Sequence, residues 1–313
     1  MQTPSKWKEY ELLDSGDGMK LERWGHYIVA RPDPAALWPK KHNPLFWGRA
    51  NATFERSIGG KGCWIYKEKM PARWQVNYEA LSFWVRPTDS KHVGLFPEQG
   101  VNWSWMQDQL LESRGMRQEA RVPKILNLFG YTGGATLACV LSGAEVTHVD
   151  ASKGVMEWAK ENYALTQNSL PRNNTTPSRP SPGKGNGLCA VRWIVDDVMK
   201  FVAREERRGA RYDGIIMDPP SYGRGKRNEL WKIEEMLRPL LEKCEKILSP
   251  FPLFCVVNSY TTGLPRQTVE NMLRATLACR GGTFTSDELG LQPKDGGWIL
   301  PAGSTVRWSR PDN

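Results

Sequence analysis

From Lys124 onward, short apolar runs alternate with helix-length segments, and this alternation constrains the fold more than any other feature. KILNLF, EVTHVD, VRWIV, YDGIIMD and LFCVVNS have the length and apolar content of strands. TGGATLACVLSG, SKGVMEWAKENYALTQ, VMKFVAREERRG, ELWKIEEMLRPLLEKCEKIL and RQTVENMLRATLACR follow them in turn and read as helices. Parallel neighbours need a crossover long enough to hold a helix, so the order dictates an α/β fold with a doubly wound, Rossmann-like parallel sheet. The last two runs, GTFTSDEL and STVRWS, have no helix between them and are expected to form an antiparallel hairpin at the sheet edge. Ser152 is placed to cap the second helix, and Gly143 and Gly209 to end the first and third.

The first third of the chain has a different texture. HYIVARPD, CWIYKE and LSFWVRP read as strands, and SGDG and IGGKG as turns, so residues 1–105 are expected to form a small β-rich accessory domain. A helix over NWSWMQDQLLESRG, from Asn102, leads into the second domain, residues 106–313. Within that domain, residues 168–187 are rich in Pro, Ser, Asn and Gly and carry no acid, which suits a flexible insertion on a loop.

The net charge of +9 fits a polyanionic partner such as nucleic acid, although mild basicity also serves solubility alone. The 14 tryptophans are expected mostly in cores, with a few free to act as stacking platforms. Six scattered cysteines without a CxxC pair suit neither a zinc site nor a disulfide framework, so no metal is expected. No apolar run approaches the ~20 residues of a membrane span. The N-terminus, with Glu9, Glu11 and Asp14, resembles neither a secretory signal nor a transit peptide, and a cytoplasmic location is expected.

Open α/β sheets bind ligands beyond the carboxyl ends of their strands. Three such ends are informative. NLFGYTGGAT carries glycines at 130, 133 and 134 but lacks the GxGxxG spacing that cradles a pyrophosphate. Asp150 ends the second strand, where an acid can bond ribose hydroxyls. Asp196 and Asp197 end the third, where Asp197 can accept from an adenine amino group. A tight turn and two helix N-caps would explain the same residues singly. Together and in order they favour an adenosine-bearing ligand, and the missing pyrophosphate site points to S-adenosylmethionine.

LNLFGYTGGAT, THVDAS, VDDVMKF and DGIIMDPPSYGRG together resemble the class I S-adenosylmethionine-dependent methyltransferases, and among them the large-subunit ribosomal RNA methyltransferases with their cytosine-C5 branch. The resemblance runs from about Val93 to the C-terminus. It implies that Asn127, Phe129, Gly130, Thr132 and Gly133 wrap the methionine end of the cofactor. It assigns the ribose to Asp150, the adenine to Asp197, and the meeting point of cofactor and acceptor to Asp218, Pro219 and Pro220. VGLFPEQG resembles the family's segment before the catalytic domain, which adds Phe96 and Gln99 as cofactor contacts. The N-terminal part resembles an accessory domain that helps grip RNA.

DPPSY itself suits an acceptor site. Two prolines fix the backbone and remove two N–H donors, leaving their carbonyls to accept beside Asp218. Tyr222 can stack on a base, and Arg224, Lys226 and Arg227 can meet phosphates. A rigid turn followed by a solvated basic loop is the plainer use. One departure stands out: the cytosine-C5 branch has a cysteine after the fifth strand, whereas this chain has Asn258, Ser259 and Tyr260. Cys255 lies inside the strand and reads as core. Asn258 and Tyr260 are therefore expected to line the acceptor pocket. The expected activity is methyl transfer to a base of ribosomal RNA. A protein or small-molecule acceptor, or a non-catalytic RNA-binding role, are the alternatives.

Overall fold

The computed structural model describes residues 1–56, 62–116, 121–171, 188–224 and 230–310, with backbone alone at 114–116 and at 224. Most of the IGGKG turn, most of the 168–187 insertion, Lys226 and Arg227 lie outside these residues. The chain folds into two compact units. The first comprises Met1–Val101, Ala164–Ser169 and Leu289–Ala302. The second comprises Asn102–Tyr163, Leu170–Glu288 and Gly303–Asn313.

In the first unit, β1 (Tyr10–Gly16), β2 (Met19–Trp24) and β3 (Tyr27–Pro32) form an antiparallel meander, continued by β4 (Ala52–Arg56) and β5 (Gly62–Tyr66). A short helix, α1 (Pro44–Trp47), lies in the β3–β4 connection, and β6 (Trp74–Tyr78) pairs with β7 (Leu81–Val85). The β1–β2 turn is Asp17-Gly18, both at positive φ (49° and 71°), as a two-residue hairpin loop on twisted strands requires. The core is aromatic: Tyr10 meets Trp24 edge-on at 4.6 Å, and Trp7 meets Tyr78 at 4.8 Å. Fully buried Glu22 accepts from Arg31 and from the Tyr10 hydroxyl. Burial opposes its charge, but the guanidinium outweighs that cost and pulls its pKa down to about 2.

The second unit is built on a seven-stranded sheet. In chain order its elements are α2 (Gly100–Met116), β8 (Lys124–Leu128), α3 (Gly134–Leu141), β9 (Glu145–Asp150), α4 (Lys153–Ser169), β10 (Val191–Val195), α5 (Val198–Arg207) and β11 (Gly214–Met217). There follow β12 (Tyr222–Arg224), β13 (Leu230–Lys232), α6 (Ile233–Ile247), β14 (Phe254–Ser259), α7 (Arg266–Leu277), β15 (Thr283–Leu291) and β16 (Leu300–Ser309). Strand order is β10-β9-β8-β11-β14-β16-β15. The first five run parallel, β16 runs antiparallel to β14, and β15 forms the edge. The central strands β11 and β14 are buried throughout, as expected of strands covered on both faces. Phe201 of α5, Leu237 and Leu241 of α6 and Leu273 of α7 share one apolar core with them. The order reverses between β8 and β11, which sets a crevice at the carboxyl ends of these strands.

Two expectations change. The helix read from Glu229 begins only at Ile233, because Leu230–Lys232 pairs instead with Tyr222–Arg224 as an antiparallel ribbon. Trp231 explains the difference, since its ring is buried and its indole N–H bonds back to the Pro220 carbonyl. In the first unit, β1, β2, β4 and β6 add to the strands read from sequence; KLERW carries Lys20, Glu22 and Arg23, so it shows no apolar run even though Lys20, Leu21 and Glu22 are all buried.

Candidate functional site

The loop after β8 departs furthest from relaxed backbone. Phe129 (φ 54°) and Tyr131 (φ 50°) occupy the left-handed region, as does Gly133 (φ 92°) at the start of α3. For non-glycine residues this costs roughly 1–2 kcal/mol each, so the surroundings must hold the loop. Gly130 N–H donates to the Val149 carbonyl (3.1 Å), Tyr131 N–H to Asp150 Oδ2 (3.1 Å), and Gly133 N–H to the Gly130 carbonyl (3.1 Å). Asn162 on α4 donates to the Thr132 carbonyl at 2.9 Å. Any side chain at Gly130 would strike the His148 ring, whose Cε1 lies 2.4 Å from an added Cβ.

Beneath the loop runs a buried polar chain, of which the sequence singles out Asn127 but not Thr136 or His148. Asn127 Nδ2 donates to Thr136 Oγ1 (2.9 Å), and Thr136 Oγ1 lies 2.9 Å from His148 Nδ1. Thr136 accepts from Asn127 and shares one hydrogen bond with Nδ1, its hydroxyl keeping a second acceptor site as well as a proton to give. Burial pushes the His148 pKa down to about 3, so the ring is neutral. The Asn127 side chain is buried and its amide anchors α3. Thr132 is also buried. The Phe129 ring meets Trp231 edge-on at 4.8 Å, tying the loop to the β12–β13 ribbon.

Asp150 closes β9. Its Oδ1 accepts from Ser152 N–H (2.9 Å) and its Oδ2 from Tyr131 N–H, and burial raises its pKa. An ionised carboxylate offers about four lone-pair sites, so these bonds leave room for a diol. At the end of β10, Asp197 Oδ1 caps α5 by accepting from Lys200 N–H (3.0 Å), which realises the plainer reading of that residue. Asp196 accepts from Asp197 N–H and pairs with Arg204 at 2.7 Å.

At the end of β11, Asp218 is half-buried, Pro219 buried, and Pro220 and Tyr222 exposed. The expectation that both proline carbonyls stand open is corrected, because the Pro220 oxygen accepts from Trp231 Nε1 at 2.6 Å. Ser221 Oγ lies 2.7 Å from Thr261 Oγ1, which joins this turn to the loop after β14. Asn258, expected in an acceptor pocket, is instead buried: its Oδ1 accepts from Asn102 Nδ2 (2.9 Å), while Asn102 Oδ1 accepts from Arg307 Nε (2.8 Å) and Thr305 Oγ1 (3.1 Å). Tyr260 is half-exposed, its ring so close over Gly303 that a Cβ there would come within 2.8 Å. Cys255 is buried mid-strand, and desolvation pushes its thiol up to about 12, so it is no nucleophile. Phe96 and Gln99 belong to the first unit. The Arg224 side chain and Arg227 lie outside the described residues. Among the described residues, no cluster of three His, Cys, Asp or Glu side chains could hold a metal, and no helix is long and apolar enough to cross a membrane.

The strand ends of the second unit therefore bring together the 129–133 loop, Asp150, Asp197, the Asp218–Tyr222 turn and Tyr260. Asn102, Thr136, His148 and Trp231 position them.

No family model matches the chain. It is 32% identical over 145 residues to the ribosomal RNA large subunit methyltransferase K/L of Shewanella sp. (strain MR-4), covering 46% of this chain and 18% of that protein. It is 27% identical over 213 residues to the protein of the same description from Syntrophotalea carbinolica, covering 66% of this chain and 26% of the relative. The chain thus spans about a fifth to a quarter of the length of these curated relatives. A crystal structure of an S-adenosylmethionine-dependent methyltransferase from Agrobacterium tumefaciens superposes with a TM-score of 0.86 at 37% identity, over 99% of this chain and 93% of that one. On this likeness along nearly its whole length, and on the strand-end geometry that accompanies it, the chain belongs to the class I S-adenosylmethionine-dependent methyltransferases.

Proposed function

We propose that the chain transfers a methyl group from S-adenosylmethionine to a base of ribosomal RNA in the cytoplasm. The observation that carries this reading is the convergence of Asp150, the 129–133 loop and the Asp218–Tyr222 turn at the switch point of a sheet with the family's fold. The donor set fits the cofactor. Gly130, Tyr131 and Gly133 spend their N–H groups within the loop and its neighbours, so they offer no cradle to a pyrophosphate. Asp150 keeps acceptor capacity for ribose hydroxyls, and the β10 end at Asp197 is assigned to the adenine.

Bound there, S-adenosylmethionine supplies an electrophilic methyl on a sulfonium. The chain's own task is positioning. Asp218 and the Pro219 carbonyl accept from an amino group or ring N–H of the target base, and exposed Tyr222 stacks on it. Cys255 is buried mid-strand and cannot add to the base, which favours a ring or exocyclic nitrogen over cytosine C5. RNA as acceptor is supported by the descriptions of the curated relatives and by the net charge of +9. The test is to incubate the purified chain with methyl-labelled S-adenosylmethionine and separate RNA, protein and small-molecule fractions. Label in ribosomal RNA is expected. Label only in protein or small molecules, or in none of them, overturns the reading.

A further inference from the structure

A second cleft lies in the first unit, formed by β1, the segment before α1 and the 293–298 turn. It encloses about 280 Å³, and its walls include Leu13, Trp38, Pro39, Pro293 and Trp298. That is near the lower end of the roughly 300–1,000 Å³ range of small-molecule pockets, enough for one planar ring system. Trp38 and Trp298 stand nearly perpendicular, with centroids 6.0 Å apart and planes at 71°. Trp298 is 63% exposed, although burying an indole is strongly favourable.

The cleft is pre-shaped. Trp38 Nε1 donates to the Ser15 carbonyl at 2.9 Å, which fixes its ring. Lys41 Nζ donates to the Asp295 (3.0 Å) and Gly296 (3.1 Å) carbonyls, holding the opposite wall. Both Lys41 partners are neutral carbonyls, and the Lys40 ammonium lies 4.3 Å over the Trp47 ring.

Perpendicular aromatic walls suit either a flat ring or a methylated ammonium, and the charges decide between them. Among the described residues that line the cleft, Asp14 is the one acid. Its Oδ1 accepts from Ser15 N–H and Lys41 N–H, and its Oδ2 from His42 N–H and Trp47 Nε1. That fills its roughly four acceptor sites, leaving no carboxylate for a cation, while two lysines repel one. An aromatic ring carried on an anionic chain fits all of this. The geometry points to a pocket for one unpaired nucleobase, stacked on Trp298 with its flanking phosphates near Lys40 and Lys41. The inference rests on RNA being the substrate and locates where a nucleotide away from the methylated one is held.

The test is fluorescence anisotropy of an end-labelled octa-adenylate with the full chain and no methyl donor. Trp298→Ala is expected to weaken binding about tenfold and Trp298→Phe to stay within about threefold of the parent, since stacking needs any aromatic face. Lys40→Gln is expected to lower the slope of log affinity against log salt by about 0.7. Trp298 is exposed, so the variants should keep the parent's S-adenosylhomocysteine affinity. Equal octa-adenylate affinity for the parent and Trp298→Ala overturns the pocket, as does equal affinity for an abasic chain of the same length. If label still enters ribosomal RNA in that case, the proposed function stands without the pocket. If Trp298→Ala loses affinity but no label enters RNA, the pocket stands and the function falls.

Discussion

The two ends of the parallel sheet in the second unit solve opposite problems. Where the strands begin, polar groups are matched. Fully buried Asp213 accepts from Lys124 N–H (2.9 Å), Ser249 Oγ (2.9 Å) and Arg121, and buried Glu205 accepts from the Tyr212 hydroxyl (2.9 Å), Arg192 and Arg208. Where the strands finish, Phe129 and Tyr131 are held in left-handed conformations, and His148 Nε2 is buried with no hydrogen-bond partner among the described residues. One end is satisfied and pins the sheet. The other carries strain and an unmatched ring nitrogen beside the carboxylates assigned to the ligand. Strain persists where neighbouring structure over-determines it, and it gathers at functional sites.

That contrast can be broken by substitution. The largest effect is expected at the satisfied end: Asp213→Ala takes their shared acceptor from buried Ser249, from Lys124 N–H and from half-exposed Arg121, and should cost about 3 kcal/mol in urea unfolding. Methyl transfer per folded molecule should hardly change; a stability loss under 1 kcal/mol would show that this end is not the anchor. At the other end, Asp218→Ala should lower transfer at least about a hundredfold, roughly 2.7 kcal/mol, with S-adenosylhomocysteine affinity nearly unchanged by calorimetry. Retained turnover would make the DPPSY turn purely structural.

His148 sharpens the comparison through pH. Its native pKa of about 3 lies below the ordinary value of 6.5, so the unfolded chain takes up the proton first. Its contribution is complete above pH 6.5 and is lost as pH falls toward 3. Between pH 7 and 5 the wild type should lose about 2 kcal/mol relative to His148→Gln, read from urea midpoints at both values. Parallel pH profiles would mean the ring is not held neutral. The smallest effect is expected from Trp231→Phe, which keeps the ring but deletes the bond to Pro220. It should cost about 1 kcal/mol of stability. No change would show that the ribbon does not hold the turn.

The parallel sheet was legible because five apolar runs separated by helix-length segments admit few other folds. The positions of Asp150 and the DPPSY turn at strand ends were legible from the same pattern, and strand ends at a switch point are where the account assigns the ligand. The ribbon was not: ELWKIEE continues a helical pattern, and only the pairing of Tyr222–Arg224 with Leu230–Lys232 pulls its first residues out of the helix. Asn258 was misplaced for a related reason. A polar residue ending a strand suggests a ligand, but here the partner is Asn102, distant in sequence. The Asn127–Thr136–His148 chain is equally non-local, so no window of sequence displays it.

The central claim is that the carboxyl ends of β8, β9, β10 and β11 hold the methyl donor. The crystal structure of the complex with S-adenosylhomocysteine tests it most directly. The account predicts both ribose hydroxyls on the Asp150 carboxylate, the adenine at the end of β10 and the sulfur facing Asp218. A nucleoside bound anywhere else, with Asp150 bonded only to Tyr131 and Ser152, would contradict it.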